Sequence, residues 1–364
     1  MKGSKLKTRD YLALDLGATS GRAILGNLDG DRLSLREVHR FPNGPIERNG
    51  HLHWDLPRIL SEVEIGIAKA FELSPELVGM ACDSWGVDHG FQDNDGQPID
   101  LPFSYQDSRT QGILETPPLS GNAERIFQRT AAPSTPISTL SQLVVTKKNN
   151  HDLWSQARQF LFTPDWVHHH LTGVSVCERT MASTSQLHSW QNGNWDWDLA
   201  EEMGIESSLF PMIGTAGDRI GELKSDLANR LKVNGCPVHL PACHDTASAF
   251  AAAPCVNEET VILSSGTWSM LGIRVANPIL AGEIFELGGG NYALPGNDWA
   301  LSRGIMGLWL LDRFKNEEGF ESLRELVELA KTAEPLACLI DPENPLFQER
   351  DPIANLIRQW AEST

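Results

Sequence analysis

Apolar residues run almost unbroken over residues 11–16, stop at Gly17-Ala18-Thr19-Ser20-Gly21, and resume over residues 22–28. That is the pattern of two strands joined by a small, glycine-flanked turn. Asn27-Leu28-Asp29-Gly30 marks a second turn, and residues 32–38 alternate with period two. The chain is therefore expected to open with a three-stranded antiparallel meander. The period then changes: Leu56, Ile59, Leu60, Val63, Ile67 and Phe71 recur at three- and four-residue steps. With Asp55 and Pro57 at its start, this predicts a helix over 54–73, followed by a strand over 77–83. Residues 155–173 read as a strand passing into a helix that Thr163-Pro164-Asp165 opens and Gly173 ends. Residues 237–241 predict a strand end, 245–253 an alanine-rich helix, 254–257 a break, and 261–263 a new strand. Strands alternating with helices place the chain in the α/β class.

A length of 364 residues, at roughly 150 residues per domain, predicts two domains. The break at Pro254 sets the expected boundary, dividing the chain into 1–254 and 255–364. The 30 Lys and Arg against 48 Asp and Glu leave a net charge of −18, which repels nucleic acid and anionic membrane surfaces. The least polar stretches, 246–256 and 260–273, contain Pro254 and Gly266 and fall short of the roughly 20 residues of a spanning helix. No membrane segment is expected. Lys2, Lys5, Lys7 and Arg9 lead directly into the first strand, with no apolar secretory core, so the expected location is cytoplasmic. The six cysteines are scattered without a C-x-x-C pair and are expected to be reduced and mostly buried. His168-His169-His170 lies within the expected helix. Consecutive helical residues point about 100° apart, so the three cannot share an ion and are read as a helix face. Oligomeric state is not decided by composition.

The first turn carries chemistry. Asp15-Leu16-Gly17-Ala18-Thr19-Ser20-Gly21-Arg22 sets a carboxylate, two hydroxyls, two glycines and a guanidinium between two strands. Glycines admit phosphate oxygens to backbone N–H groups, Thr19 and Ser20 can donate to them, Arg22 adds positive charge, and Asp15 can hold Mg²⁺ through water. The turn matches neither the P-loop nor the dinucleotide fingerprint, and an ordinary polar turn is the alternative. Asp245 opens a helix, where exposed N–H groups favour its ionised form; it is a candidate base or simply an N-cap. Trp85-Gly86-Val87-Asp88 follows a buried strand, offering close approach at Gly86, an apolar face and an acceptor, or else a core tryptophan and a turn. Ser264-Ser265-Gly266-Thr267 is a second hydroxyl-and-glycine turn suited to phosphate. Asp107 and Arg109 either face the ligand or form an internal ion pair that holds the pocket wall.

These segments, taken with Asn49-Gly50-His51-Leu52-His53-Trp54-Asp55, Tyr105-Gln106-Asp107-Ser108-Arg109-Thr110, His244-Asp245-Thr246-Ala247-Ser248-Ala249 and Ile305-Met306-Gly307-Leu308-Trp309-Leu310-Leu311, resemble the FGGY carbohydrate kinases in order and across nearly the whole chain. The resemblance is strongest to the branch that acts on L-rhamnulose. It implies the two-domain actin-like ATPase (ribonuclease H-like) fold, a sugar-binding domain over 1–254 and a nucleotide-binding domain over 255–364. It also implies phosphoryl transfer from ATP, with Mg²⁺, to the 1-hydroxyl of a ketose. Asp245 would be the base; Gly86, His244, Asp245 and Thr246 would contact sugar; Ala18, Thr19, Ser20, Gly21, Arg22 and Thr267 would face ATP; Asp15 would face the metal. With two phosphate-gripping turns in separate domains, ATP is expected between them. The pattern departs from the family at Gly304 and Asp312, where relatives carry Asn and Gln, and at Gln106, where they carry Arg. Family members also continue past the point where this chain ends, so the second domain is expected to be incomplete, and Gly288-Gly289-Gly290 is read as a loop rather than the family's adenosine motif. Another ketose kinase, or a catalytically impaired sugar-binding fragment, are the alternatives.

Overall fold

The computed structural model of the chain describes residues 8–255, 257, 259–266, 268–348 and 351–363. The meander forms as its alternation predicts: β1 (Arg9–Leu16), β2 (Ser20–Asp29) and β3 (Arg32–Pro42) are antiparallel neighbours. Leu12, Leu14 and Leu16 point into the core, and the residues between them remain open or half-open, the period-two division of a sheet with one dry face. The helix α1 (Leu56–Leu73) starts where Asp55 accepts a hydrogen bond from the Arg58 N–H at 3.1 Å, with proline in the first turn. Ile59, Val63, Ile67 and Ala70 lie on its buried stripe.

The strand β4 (Leu77–Ser84) then runs parallel to β1. Further along, β5 (Gln159–Phe162) passes directly into α2 (Thr163–Thr172), which ends at Gly173 with φ +81°, a left-handed conformation that glycine adopts without strain. The strands β6 (Arg219–Glu222) and β7 (Pro237–His239) complete a six-stranded sheet in the order β6-β7-β4-β1-β2-β3, with β7, β4 and β1 parallel. One apolar core lies against this sheet around Leu14, Val63, Ile67, Met80 and Val238. A second gathers Leu143, Phe160, Met181, Trp195 and Phe210.

The histidines of α2 diverge as helical geometry requires. His168 is fully buried, whereas His169 meets the Ser175 hydroxyl at 3.0 Å and His170 meets Glu64 at 2.8 Å. Cys82, Cys177, Cys236 and Cys243 are buried free thiols. Among the described residues, no helix is long and apolar enough to cross a membrane.

Contacts divide the chain into two units. The first comprises the described residues up to Pro254 together with Arg274–Leu301; the second comprises those of Cys255–Ile273 and Ser302–Thr364. The segment Arg274–Leu301, which sequence order alone assigns to the second domain, is thus built into the first. Within it, Gly288 turns with φ +68° and Gly290 opens a strand, Gly290–Ala293. Gly290 sits where an added Cβ would lie 2.3 Å from Pro133 Cδ. The neighbouring Asn291 is fully buried and exchanges hydrogen bonds with Ile279 at 2.9 and 3.0 Å. The Arg179 guanidinium donates to the carbonyls of Leu294 and Gly296 at 2.9 and 2.7 Å.

In the second unit Val261–Ser264 forms a hairpin with the strand Trp268–Val275. The helices Trp309–Glu317, Leu323–Ala330 and Ile353–Ser363 follow. Leu310, Phe347, Ile353 and Leu356 form the buried centre of its helical part.

Candidate active site

The parallel register of β1 and β4 sets Asp15 beside Asp83 and Leu16 beside Ser84. Ser84 donates its backbone N–H to the Cys243 carbonyl at 2.9 Å, which draws the segment ahead of Asp245 to the same end of the sheet. The helix α3 (Asp245–Ala252) begins there, and its N-cap is His244, not Asp245. The capping alternative for Asp245 is thereby removed: its carboxylate accepts from the Thr246 N–H at 2.5 Å and the Thr246 hydroxyl at 3.2 Å.

Asp15, Asp83 and Asp245 consequently lie within electrostatic reach of one another. Burial pushes the Asp245 carboxyl up to about 6 and the Asp15 charge adds to the rise, against the two hydrogen bonds from Thr246. The side chain nevertheless keeps 37% of its surface open. Asp83 is pushed well above the ordinary carboxylate range by burial and then by Asp15 and Asp245. Asp15 is raised by burial while Arg22 and Arg40 pull it down. His244 is held down to about 4 by burial, so it is neutral at pH 7. Its Nε2, 3.7 Å from Asp245, makes a polar contact without an ion pair, and its buried Nδ1 has no partner.

The loop that delivers Asp245 is held by a carboxylate the sequence did not single out. Glu178, almost wholly buried, accepts from the Thr180 N–H at 2.9 Å, from the Thr180 hydroxyl and from the Cys243 N–H at 3.0 Å. The Thr180 hydroxyl oxygen in turn accepts from the His244 N–H at 3.2 Å. The only local signal was an acidic residue shortly ahead of the polar run Thr180-Met181-Ala182-Ser183-Thr184-Ser185, which is buried in the fold.

At the turn after β4, Gly86 packs so tightly that a Cβ would lie 3.0 Å from Thr184 Cγ2. Val87 holds φ +67°, strained for a β-branched residue. The turn is pinned by Val87 N–H donating to Thr184 Oγ1 at 3.2 Å and by Thr139 Oγ1 donating to the Val87 carbonyl at 2.8 Å. Two expectations change here. Asp88 is not an open acceptor: it is fully buried and takes hydrogen bonds from Trp54 Nε1 (2.6 Å), Trp85 Nε1 (3.1 Å), Tyr105 N–H (3.1 Å) and Gln142 Nε2 (2.9 Å). Trp85 is not an open face either, because it is buried with its ring centroid 4.3 Å from that of Trp54. Asp107 and Arg109 make no direct ion pair among the described residues. Asp107 accepts from the N–H groups of Leu52 and Arg109 at 2.8 and 2.9 Å, while the Arg109 guanidinium donates to Gln142 and Thr146 and lies 4.1 Å over Phe103.

The turn between β1 and β2 closes through Gly17 N–H to the Ser20 carbonyl at 2.9 Å, and Asn43 braces it through the carbonyls of Gly17 and Thr19 at 2.8 and 2.9 Å. Thr19 is exposed, and Ala18 and Ser20 are half-buried. Gly21 is required by packing, since a Cβ there would meet Phe41 Cζ at 2.1 Å. Arg22 and Asp15 approach to 3.5 Å, both over a third exposed. Among the described residues no three ligating side chains surround one point. A divalent cation at Asp15 would therefore take one or two carboxylates and fill its shell from phosphate and water, the habit of Mg²⁺. The buried Oδ1 of Asp83, without a hydrogen-bond partner, fits such an ion. Thr267 lies outside the described residues. In the second unit, Asp312 has Lys315 at 3.7 Å, which offsets its charge.

Residues 10–251 match the N-terminal domain of the FGGY family of carbohydrate kinases. A protein named rhamnulokinase from Halalkalibacterium halodurans is 34% identical over 359 residues, which cover 97% of this chain and 75% of the relative. Another of that name from Pectobacterium carotovorum is 35% identical over 98% of this chain and 71% of its own. Among solved structures, a ligand-bound xylulose kinase from Lactobacillus acidophilus superposes with a TM-score of 0.77 at 18% identity, over 90% of this chain and 66% of that one. The chain thus spans about two thirds to three quarters of the length of the proteins it resembles.

Proposed function

Because the chain belongs to the FGGY family of carbohydrate kinases, sugar-phosphorylating enzymes of actin-like ATPase fold, we propose that it transfers the γ-phosphoryl group of ATP to the 1-hydroxyl of L-rhamnulose. The products are ADP and L-rhamnulose 1-phosphate. The supporting observation is Asp245: a carboxylate at the first turn of α3, raised to about 6 and still open to an incoming hydroxyl. At pH 7 it is ionised in most molecules, with a basicity close to the working pH, the condition for a general base.

The sugar O1–H gives its proton to Asp245 as O1 bonds to the γ-phosphorus and the bond from that phosphorus to the β-bridging oxygen breaks, leaving ADP. Phosphoryl transfer asks the protein mainly for positioning and charge stabilisation. Gly86, His244 and Thr246 border the sugar, His244 as a neutral donor or acceptor. Ala18, Thr19, Ser20, Gly21 and Arg22 face the phosphates, and Thr267 is proposed for the same role. Asp15 and Asp83 would hold Mg²⁺, which when bound neutralises charge on the phosphates. Glu178 and Thr180 fix the backbone that carries Asp245.

The test is ADP release over a panel of ketoses, with Asp245→Asn beside the unaltered chain. L-rhamnulose should give the highest kcat/KM; a higher value for a different ketose would reassign the substrate, and full turnover by the variant would remove Asp245 as base. A second reading, a sugar-binding chain without phosphoryl transfer, rests on Gly304 and Asp312 standing where relatives carry amides. Calorimetry separates the two: heat with L-rhamnulose and none with Mg²⁺·ATP supports it, and heat with both removes it.

A further inference from the structure

Tyr292 belongs to the segment Arg274–Leu301, which returns to the first unit, and sits in the strand Gly290–Ala293. The strand is held on both sides of it. Asn291 is bound to Ile279, and its own N–H donates to the Ala131 carbonyl at 2.8 Å. Ala293 donates its N–H to Ser183 Oγ at 3.0 Å. Asn291 and Ala293 are both fully buried, so strand alternation turns Tyr292 to the opposite face. There its ring meets the ring of His244 at 5.3 Å with planes 63° apart, an edge-on contact. Ser183 adjoins Thr184, the residue packed on Gly86. The tyrosine is therefore fixed beside one sugar-contact candidate, His244, by anchors independent of its own side chain.

The ring is half-buried, and its hydroxyl makes no hydrogen bond among the described residues. It rests against an imidazole whose Nδ1 is buried and without a partner. Burial pushes the phenol up to about 12, so it remains a neutral donor at working pH. A buried imidazole nitrogen without a partner beside a half-buried phenol matches a ligand that brings several hydroxyls and little charge.

We propose that Tyr292 is a specificity-determining residue of the sugar site: its hydroxyl binds a ketose hydroxyl other than the one phosphorylated, and its ring holds His244 in place. The inference rests on the sugar-kinase reading of the same site, so its test includes binding as well as turnover. L-rhamnulose is titrated by calorimetry into the unaltered chain, Tyr292→Phe and Tyr292→Ala, and steady-state kinetics follow, with thermal melts confirming that each variant is folded. Tyr292→Phe keeps the ring and removes only the hydroxyl. It should raise Kd and KM for the sugar about ten-fold, the effect of one hydrogen bond of about 1.4 kcal/mol, with kcat and the KM for ATP unchanged. Tyr292→Ala should raise both further. Unchanged sugar Kd and KM in Tyr292→Phe would overturn the proposal, as would an effect confined to kcat. If the chain binds L-rhamnulose without phosphorylating it, the kinase reading fails and the calorimetric comparison still decides Tyr292; if it binds no ketose, both fail.

Discussion

Val63, Ile67, Phe160 and Trp195 in the first unit are each at most 1% exposed, whereas the hairpin of the second unit leaves Val261 60%, Leu263 56% and Leu271 42% exposed. Leu263 lies opposite Leu271 and Val261 opposite Ile273, so these side chains share one face, while Ile262 on the other face is buried. Strands apolar on both sides read in sequence as buried strands. Here only one face is buried. The first unit closes two extensive cores, and Ala293 and Trp299 of its segment Arg274–Leu301 add a smaller cluster with Ala131; the helical part of the second closes around four buried side chains. A residue can thus be apolar, correctly placed in a strand, and still contribute little to stability, because stabilisation follows area removed from water and not hydrophobicity as such.

Substitutions in the two units should sharpen this contrast. The largest effect is expected at Asp245. Asp245→Asn should lower kcat by roughly 10²–10⁴, measured by ADP release, without loss of fold. The pH dependence has a definite sign. Turnover should fall as pH drops through about 6, because the base becomes protonated. Stability should move the other way, since a folded value above the ordinary 3.8 means that the native state binds more protons than the unfolded chain between those values. The contribution of this group is then fully present below 3.8 and lost as pH rises through 6. Urea midpoints at pH 5 and pH 8 should show a smaller drop for Asp245→Asn than for the unaltered chain; an equal drop would show that Asp245 is not so perturbed.

Next in size, Phe160→Ala should destabilise the first unit by about 3–5 kcal/mol, the usual range for emptying a packed aromatic site, read from urea unfolding. Glu178→Gln should cost about 1–3 kcal/mol by weakening a buried acceptor for three donors, with lower kcat at the same sugar affinity. If kcat is unchanged, Glu178 shapes the core and not the base. The smallest effect is expected in the second unit, where Leu263→Thr should stay within about 0.5 kcal/mol because its side chain is already in water. A loss comparable to Phe160→Ala would mean that the hairpin face is covered in solution.

The meander, α1, β4 and the passage from β5 into α2 were legible because their periods and caps are local. Asp55 caps within its own turn, and Gly173 ends its helix through a φ only glycine takes easily. The acidic residues Asp15 and Asp245 were visible as chemistry in turns. Their meeting was not, since it depends on Asp83 lying across from Asp15 in a parallel pair and on Ser84 binding Cys243. Asp88 misled for the same reason: an aspartate after a glycine turn looks open until three donors from distant segments, Trp54, Tyr105 and Gln142, converge on it beside the local Trp85. Glu178 and Tyr292 carry no motif, and their roles arise from partners 65 and 48 residues away.

The amino-acid order by itself determined the α/β alternation, the turns and the residue types able to face phosphate and sugar, because these follow from dihedral preferences and side-chain chemistry within a few residues. Only the tertiary structure decided which carboxylates share a field, which polar groups are spent inside the protein, and that a segment after residue 273 returns to build the first unit. Burial and electrostatic coupling are set by neighbours in space, and those neighbours exist only once the sheet has brought distant parts of the chain together.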